Sequence, residues 1–208
     1  MALDTFSALK TTIASFLNRS DLTSIIPDFI TLCEAEMNRR LRTRRMVGRA
    51  DATVSATEFM SLPDDFGGAK VVKLTTVTPE FILEYLEPGM AAELQGTTYT
   101  AAGQPKFYSL VGDSMEFLPV PDTSYGIEMT YYKRIPALSD SNTSNWVLDD
   151  HPDAYLYGSL LQSAPYLMDD ARITSWGTLF TQALADITRI DYDDAYPGGL
   201  NMRARSFG

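Results

Sequence analysis

The sequence predicts an α+β protein in which helices from both ends of the chain form a bundle and an antiparallel β module is inserted between them. Apolar residues recur every three or four positions near the start and again after residue 149, as on the buried face of an amphipathic helix. Between these regions, short segments rich in Thr, Val, Phe and Tyr are interrupted by Pro, Gly and Asp, which is typical of strands and turns. The two helical flanks can bury their apolar faces against each other.

The N-terminal region, residues 1–46, is predicted to contribute two helices to the bundle. Helical spacing of apolar residues marks the first over residues 4–18, and the second carries Pro27 in its first turn. The candidate caps are Asp4 or Thr5 for the first helix and Ser20 and Asp21 for the second. The apolar stripe of the second helix comprises Ile26, Phe29, Ile30, Cys33, Met37 and Leu41.

Residues 47–136 are predicted to form the β module. Gly112 and Asp113 stand between two strand-like runs, which suits a tight hairpin turn. Residues 90–95 are expected to form a single helical turn. The candidate strands are 50–54, 71–76, 81–86, 107–111, 114–118 and 127–133.

The helical pattern returns in residues 137–196, the C-terminal part of the bundle. One helix is predicted to begin at Asp149 with Pro152 in its first turn, and Pro165 should kink or shorten it. Another is predicted from Ala171 to about Ile190. Pro197, Gly198 and Gly199 then end regular structure, and residues 197–208 form a flexible, mildly basic extension of the kind that can order on a partner.

Composition excludes several classes of protein. The 208 residues suit one domain or one domain with an insertion, and a net charge of −10 disfavours a protein that grips nucleic acid. No apolar run is long enough to span a membrane, and the N-terminus is not that of an exported protein. The single cysteine, Cys33, cannot form an internal disulfide, which fits a reducing compartment.

The residues that could carry chemistry have simpler explanations. His151, the only histidine, stands at a helix start where Asp149 or Asp150 can satisfy free backbone N–H groups, and Cys33 lies on an apolar stripe. The Asp-rich run near residue 191 fails as a Ca²⁺ loop because Tyr196 and Met202 occupy the positions of the required Gly and Glu. We therefore predict no catalytic residue, cofactor or metal. Phosphate-, dinucleotide-, zinc- and esterase-type motifs are also absent from the sequence.

The alternative of a small hydrolase acting on cell-wall glycans or nucleic acid stays open at this point. It would use a pair of carboxylates as general acid and base. The candidates are Asp149, Asp150, Asp169 and Asp170, all of which stand at helix starts or breaks, where capping also explains them.

Charge is unevenly distributed along the chain. A basic cluster near the end of the second helix consists of Arg39, Arg40, Arg42, Arg44 and Arg45. An acidic cluster at the end of the last helix consists of Asp191, Asp193 and Asp194. Because carboxylates oppose the macrodipole at a helix C-terminus, a basic surface beside them would be stabilising. One hypothesis is that the basic cluster of one subunit faces the acidic cluster of the next; the other is that both are independently solvated.

Four stretches together resemble the head-to-tail adaptor proteins of tailed bacteriophages, which include the tail tubular proteins of short-tailed phages. They are LTSIIPDFITLCEAEMNRRLRTRRM near the start, SLPDDFGGAKVVKLT with QPKFYSLVGDSMEFLPVPDTSYGIEMTYYKRIPAL in the β region, and SNWVLDDHPDAYLYGSLLQSAPYLMDD in the helical return. They cover most of residues 22–170, and their joint order carries the resemblance.

The resemblance implies a structural protein of the virion, made in the host cytoplasm, that forms a ring of identical subunits, commonly twelve, at the head-tail interface. Its partners would be the portal protein on one side and a tail nozzle or tube protein on the other, with double-stranded DNA passing through unbound. The C-terminal extension would bind the portal through Leu200, Met202, Arg203, Arg205 and Phe207. A tail-completion or minor capsid protein is the alternative within the same class.

Overall fold

The computed structural model describes residues 3–167 and 170–195. The described chain divides into two compact units: unit 1 contains the residues up to Arg44 and from Ile135 onward, and unit 2 is Arg45–Arg134. Unit 1 is helical, whereas unit 2 contains the strands. The predicted α+β class is confirmed.

The elements are numbered in chain order. The helices are α1 (Phe6–Leu17), α2 (Ile26–Arg40), α3 (Pro88–Thr97), α4 (Trp146–Asp150), α5 (Pro152–Leu167) and α6 (Asp170–Ala195). The strands are β1 (Val47–Ser55), β2 (Phe59–Ser61), β3 (Phe66–Leu74), β4 (Phe81–Ile82), β5 (Glu84–Tyr85), β6 (Phe107–Val111), β7 (Ser114–Leu118) and β8 (Ser124–Lys133).

Local chemistry explains where the first two helices begin. The Thr5 hydroxyl accepts a hydrogen bond from the Ala8 N–H at 3.2 Å, so Thr5 is the cap of α1. The prediction that Ser20 and Asp21 cap the second helix is wrong. Helix α2 begins only at Ile26, with Pro27 in its first turn and no capping side chain. Asp21 instead pairs with the neighbouring guanidinium of Arg19 at 2.6 Å.

The helical region that follows unit 2 begins earlier than the acidic residues at 149 and 150 indicated. The Asn145 amide oxygen accepts the N–H groups of Val147 and Leu148 at 3.1 and 3.0 Å, which starts α4 three residues before Asp149. The chain breaks at His151, and Pro152 then begins α5. Pro165, predicted to kink or shorten the helix, lies inside α5, two residues before Leu167. Helix α6 continues to Ala195, five residues beyond the predicted end.

Helix α5 is the central element of unit 1, where it packs against α1, α2, α4 and α6. The close crossing depends on Gly158. A Cβ atom at this position would collide with Cys33 Sγ on α2 and would lie 2.7 Å from a ring carbon of Phe180 on α6. The fully buried residues around this crossing include Leu9, Ile13, Ile26, Ile30, Cys33, Met37, Tyr155, Leu160 and Phe180.

Unit 2 consists of two four-stranded sheets that share one hydrophobic core. The strand orders are β1-β8-β3-β4 and β2-β7-β6-β5, and every pairing is antiparallel except β5 with β6. Val72 and Ile127 from the first sheet and Met115 and Phe117 from the second belong to the same buried cluster. Alternation along each strand directs these side chains inward.

In unit 2 the bounds of two strands were predicted correctly, whereas one predicted strand and one predicted helical turn differ from the structure. Strands β6 and β7 form the expected hairpin, with Gly112 at the first turn position and φ +59°, where glycine is favoured. The predicted strand 81–86 is two strands in different sheets: the Leu83 N–H donates to Val72 O, and the Glu84 N–H to Lys106 O. The predicted single turn at 90–95 is the ten-residue helix α3.

A buried polar network joins the returning chain to α2 within unit 1. The Glu34 carboxylate, only 5% exposed, accepts hydrogen bonds from the Leu138 N–H at 2.8 Å and the Tyr155 hydroxyl at 3.0 Å. The Asn145 amide donates to the Tyr155 oxygen at 2.6 Å. The Asn38 amide oxygen accepts from the Ile135 N–H at 2.8 Å. Burial raises the pKa of Glu34, while the two donors oppose that rise.

We predict that Gly158→Ala lowers the free energy of unfolding by about 1–3 kcal/mol, because the added methyl group must displace Cys33 or Phe180 in a filled core. Gly177→Ala is the matched control. It changes a glycine of α6 whose Cβ would lie 3.7 Å from Leu161, an ordinary contact, so it should be neutral or stabilising by up to ~1 kcal/mol. Urea unfolding measures both; equal effects would contradict the close crossing.

A second prediction concerns pH. Because the pKa of Glu34 is raised in the folded state, the folded chain retains a proton that the unfolded chain loses above the ordinary value of 4.5. The contribution of Glu34 to the free energy of unfolding is therefore fully present below pH 4.5 and is lost as the pH rises through the folded-state pKa. Glu34→Gln keeps an acceptor for Leu138 and should lack this loss when unfolding free energies are measured across pH. Glu93→Gln, on the exposed surface of α3, should follow the wild-type profile.

Candidate interaction surfaces

The basic cluster lies at the end of α2 and in the turn after it. Arg39 and Arg40 stand in the last helical turn, where cations are favoured by the helix dipole. The Arg40 guanidinium pairs with Glu36 at 2.6 Å. The Arg42 guanidinium donates to the carbonyl oxygens of Asn38 and Leu41, both at 2.7 Å, and so satisfies the helix end. Part of this cluster therefore serves α2 itself.

Arg44 connects the basic cluster to the acidic end of α6 within one chain. Its backbone N–H donates to both carboxylate oxygens of Asp191, at 3.0 and 2.9 Å. Its guanidinium lies 3.9 Å from the Asp191 carboxylate and 3.4 Å from that of Asp194. Neither sequence hypothesis included this contact. It offsets the unfavourable placement of acids at a helix C-terminus and holds the chain leaving α2 against α6.

Two exposed members of the predicted interface form no short ion pair with another described residue. Asp193 pairs with Arg189 at 3.8 Å on the helix surface, and both side chains are about two-thirds exposed, so the pair contributes little. Arg39 is exposed, and it has no ion pair or hydrogen bond to any other residue in the described ranges. These side chains can form stronger contacts with a second molecule.

An open groove of about 640 Å³ runs along α6 in unit 1. Its floor is made largely of small side chains, and Arg40 at one side is the only charged residue among the described residues that line it. The lining residues are Arg40, Leu161, Ile173, Thr174, Gly177, Thr178, Thr181, Gln182 and Ala185. The groove has the shape and polarity to accept apolar side chains, and it brings no pair of titratable groups together.

The described residues that were considered for catalysis are His151, Cys33, Asp149 and Asp150. The His151 ring stands edge-on to Trp146, with centroids 6.5 Å apart. Cys33 is fully buried beside the Ala154 carbonyl, and burial raises the pKa of its thiol well above the usual range, which disfavours the nucleophilic thiolate. Asp149 and Asp150 are exposed at the end of α4.

The remaining site predictions lie mostly outside the described residues. Asp169 and the side chain of Asp170 belong there, as do the hypothetical portal-binding residues Leu200, Met202, Arg203, Arg205 and Phe207. In residues 3–167 and 170–195, no three His, Cys, Asp or Glu side chains are grouped to hold a metal ion. None of the helices in those ranges has the length and hydropathy to cross a membrane.

Comparison with known proteins shows the family to which these surfaces belong. A search of curated proteins finds no significant match. A family model described as SU10 adaptor protein matches residues 4–203, nearly the whole chain. This match confirms the resemblance to phage head-tail adaptors and identifies a structural virion protein of tail assembly. Because the model matches well over half of its residues, the chain belongs to the SU10 adaptor protein family.

Proposed function

We propose that this protein forms a ring, commonly of twelve subunits, between the portal and the tail, where it seals the filled head and forms part of the DNA conduit. The family match over residues 4–203 carries this proposal. In this role unit 1 supplies the helical bundle of the ring, and unit 2 is the inserted β module. An adaptor of this kind acts through its contacts with head and tail proteins and through no chemical step.

The charge of the chain supports the role of a conduit. A net charge of −10 repels the phosphate backbone, so DNA can pass without the Lys and Arg contacts that would hold it. Two acids near the end of α6, Asp193 and Asp194, have side chains that are more than 60% exposed. A ring repeats the net negative charge of the chain in every subunit, which strengthens the repulsion.

The C-terminal extension, residues 197–208, is the proposed portal-binding element. No acidic residue follows Asp194, so the extension is basic as well as apolar, unlike the rest of the chain. Its proposed contacts are Leu200, Met202, Arg203, Arg205 and Phe207. When a segment becomes ordered only on binding, the entropy lost on ordering lowers its net binding free energy. This lower affinity disfavours association of subunits before the portal is present.

Contacts between neighbouring subunits are proposed to use the accessible part of the two charged clusters. Asp191 and Asp194 already contact Arg44 in their own chain. Arg39 and Asp193 have the strongest electrostatic reason to meet a second subunit, because Arg39 has no ionic partner among the described residues and Asp193 has only the long, exposed contact with Arg189. Arg40, Arg42 and Arg45 extend the basic side of this seam.

The portal contact is tested by deleting residues 200–208. The shortened chain should fold as before, shown by circular dichroism, and should no longer form a second ring on purified portal in electron micrographs. Phe207→Ala should weaken portal binding by ~2 kcal/mol as the loss of an apolar anchor, whereas Ser206→Ala should not. Retained binding after deletion would remove the extension as the portal-binding element, whereas portals left bare by the full-length chain would favour a tail-completion or minor capsid role.

The seam is tested by reversing one charge. Arg39→Glu should reduce ring formation on the portal, because a pair worth only about 0.2–1 kcal/mol is repeated at every seam. Adding Asp193→Arg to the same chain should restore rings by exchanging the two charges. Arg134→Glu, an equal change at an exposed residue of unit 2, is the control. Rings unaffected by Arg39→Glu would remove this pair from the interface.

A further inference from the structure

Strand β1 is the long uncovered edge of the described β structure. Strands β2, β4 and β5 are edge strands of only two or three residues. The outer side of β3 is covered in part by β4, and β3 has two bulges in its pairing with β8 on the other side. In contrast, β1 pairs with β8 alone, in an unbroken register over all nine of its residues, and contains no proline. Short length and bulges usually protect an edge from pairing, and β1 has neither.

Two unpaired charges stand on the outer face of β1. Arg49 and Asp51 are exposed and two positions apart, so they share a face. Asp51 lies directly opposite Glu128, a like charge that is itself paired with Lys73 at 3.2 Å. Neither Arg49 nor Asp51 forms an ion pair with another described residue. The edge therefore offers backbone groups together with one free charge of each sign.

We propose that β1 pairs antiparallel with β1 of a second copy of the chain, in the register centred on Ala50. Arg49 then lies opposite Asp51 of the second copy, and Asp51 lies opposite Arg49 of the second copy. On the inner face, Ala50 meets Ala50 and Gly48 meets Ala52, all small residues. The unpaired edge becomes the centre of a sheet that runs through both copies.

Charge selects this register over its neighbours. When two copies of β1 pair antiparallel, the two-fold axis between them must pass through a residue and not between two residues. Only then do the N–H and C=O groups on the side of β1 away from β8 face the same groups of the second copy. Centring on Asp51 places two Asp51 carboxylates opposite each other, and centring on Arg49 does the same with two guanidinium groups. Centring on Ala52 places Asp51 opposite Thr53. Only the Ala50 register pairs opposite charges, and it does so twice.

This pairing goes beyond the proposed function, because it concerns the chain before it joins a ring. A contact that uses the same edge of both copies closes after two subunits, whereas a ring of identical contacts needs a head-to-tail interface. The paired state thus covers β1 in the free protein. It is a dimer distinct from any seam of the ring.

The test uses the purified full-length chain and two charge reversals. Sedimentation over a concentration series should show a monomer-dimer equilibrium for the wild type. Arg49→Asp and Asp51→Arg should each weaken it by about tenfold or more, because each places like charges opposite each other at two positions. An equimolar mixture of the two variants should recover the dimer, since every Asp then meets an Arg. The double variant in one chain should recover it too.

Lys70→Asp, an equal charge change on the exposed outer side of β3, is the control and should leave the dimer intact. Circular dichroism verifies the fold, and Arg49→Glu with Asp51→Lys replace any variant that fails it. A wild type that stays monomeric or forms only larger rings overturns the proposal, as does a mixture that remains monomeric. Portal binding by the monomeric variants is measured separately, so its failure would count against the adaptor role and not against β1 pairing.

Discussion

The buried carboxylate of Glu34 is the interaction on which the two-part architecture depends. Unit 1 is discontinuous in sequence, because the whole of unit 2 stands between Arg44 and Ile135. When the chain returns, its backbone N–H groups at Ile135 and Leu138 bind Asn38 and Glu34 on α2, and Tyr155 on α5 completes the network. A buried carboxylate is tolerated only when it is well hydrogen-bonded, so this site specifies where the returning segment must lie.

Periodicity predicted the elements whose structure is decided locally. The β6–β7 hairpin matches its prediction to the residue, since Gly112 allows the turn and alternation sets the flanking strands. The second helix was misplaced at its start because Ser20 and Asp21 have capping chemistry but serve a turn, while Pro27 fixed the true first turn. The acidic residues near Asp149 similarly suggested a start that Asn145 supplies instead.

Tertiary pairing decided what periodicity could not. Residues 81–86 read as one strand, yet Leu83 is buried between two sheets and its neighbours join different ones. Nothing local distinguishes that crossing from a continuous strand. The same holds for the charged clusters: composition located them, but only the fold brings the Arg44 backbone N–H to Asp191, 147 residues away. A backbone donor carries no sequence signal, which is why this contact was missed.

Symmetry separates the two modes of association. Contacts between unlike surfaces, such as Arg39 with Asp193, repeat around a closed ring, whereas β1 with β1 ends at a pair. In the proposed β1 dimer the long strand edge is covered, whereas an uncovered edge is a template for uncontrolled pairing. The two exposed ion pairs of a β1 dimer are individually weak, so the dimer can yield to a ring whose contacts are repeated at every seam and anchored on a portal. If the chain is to enter the proposed ring, the β1 dimer must therefore be weak enough to dissociate.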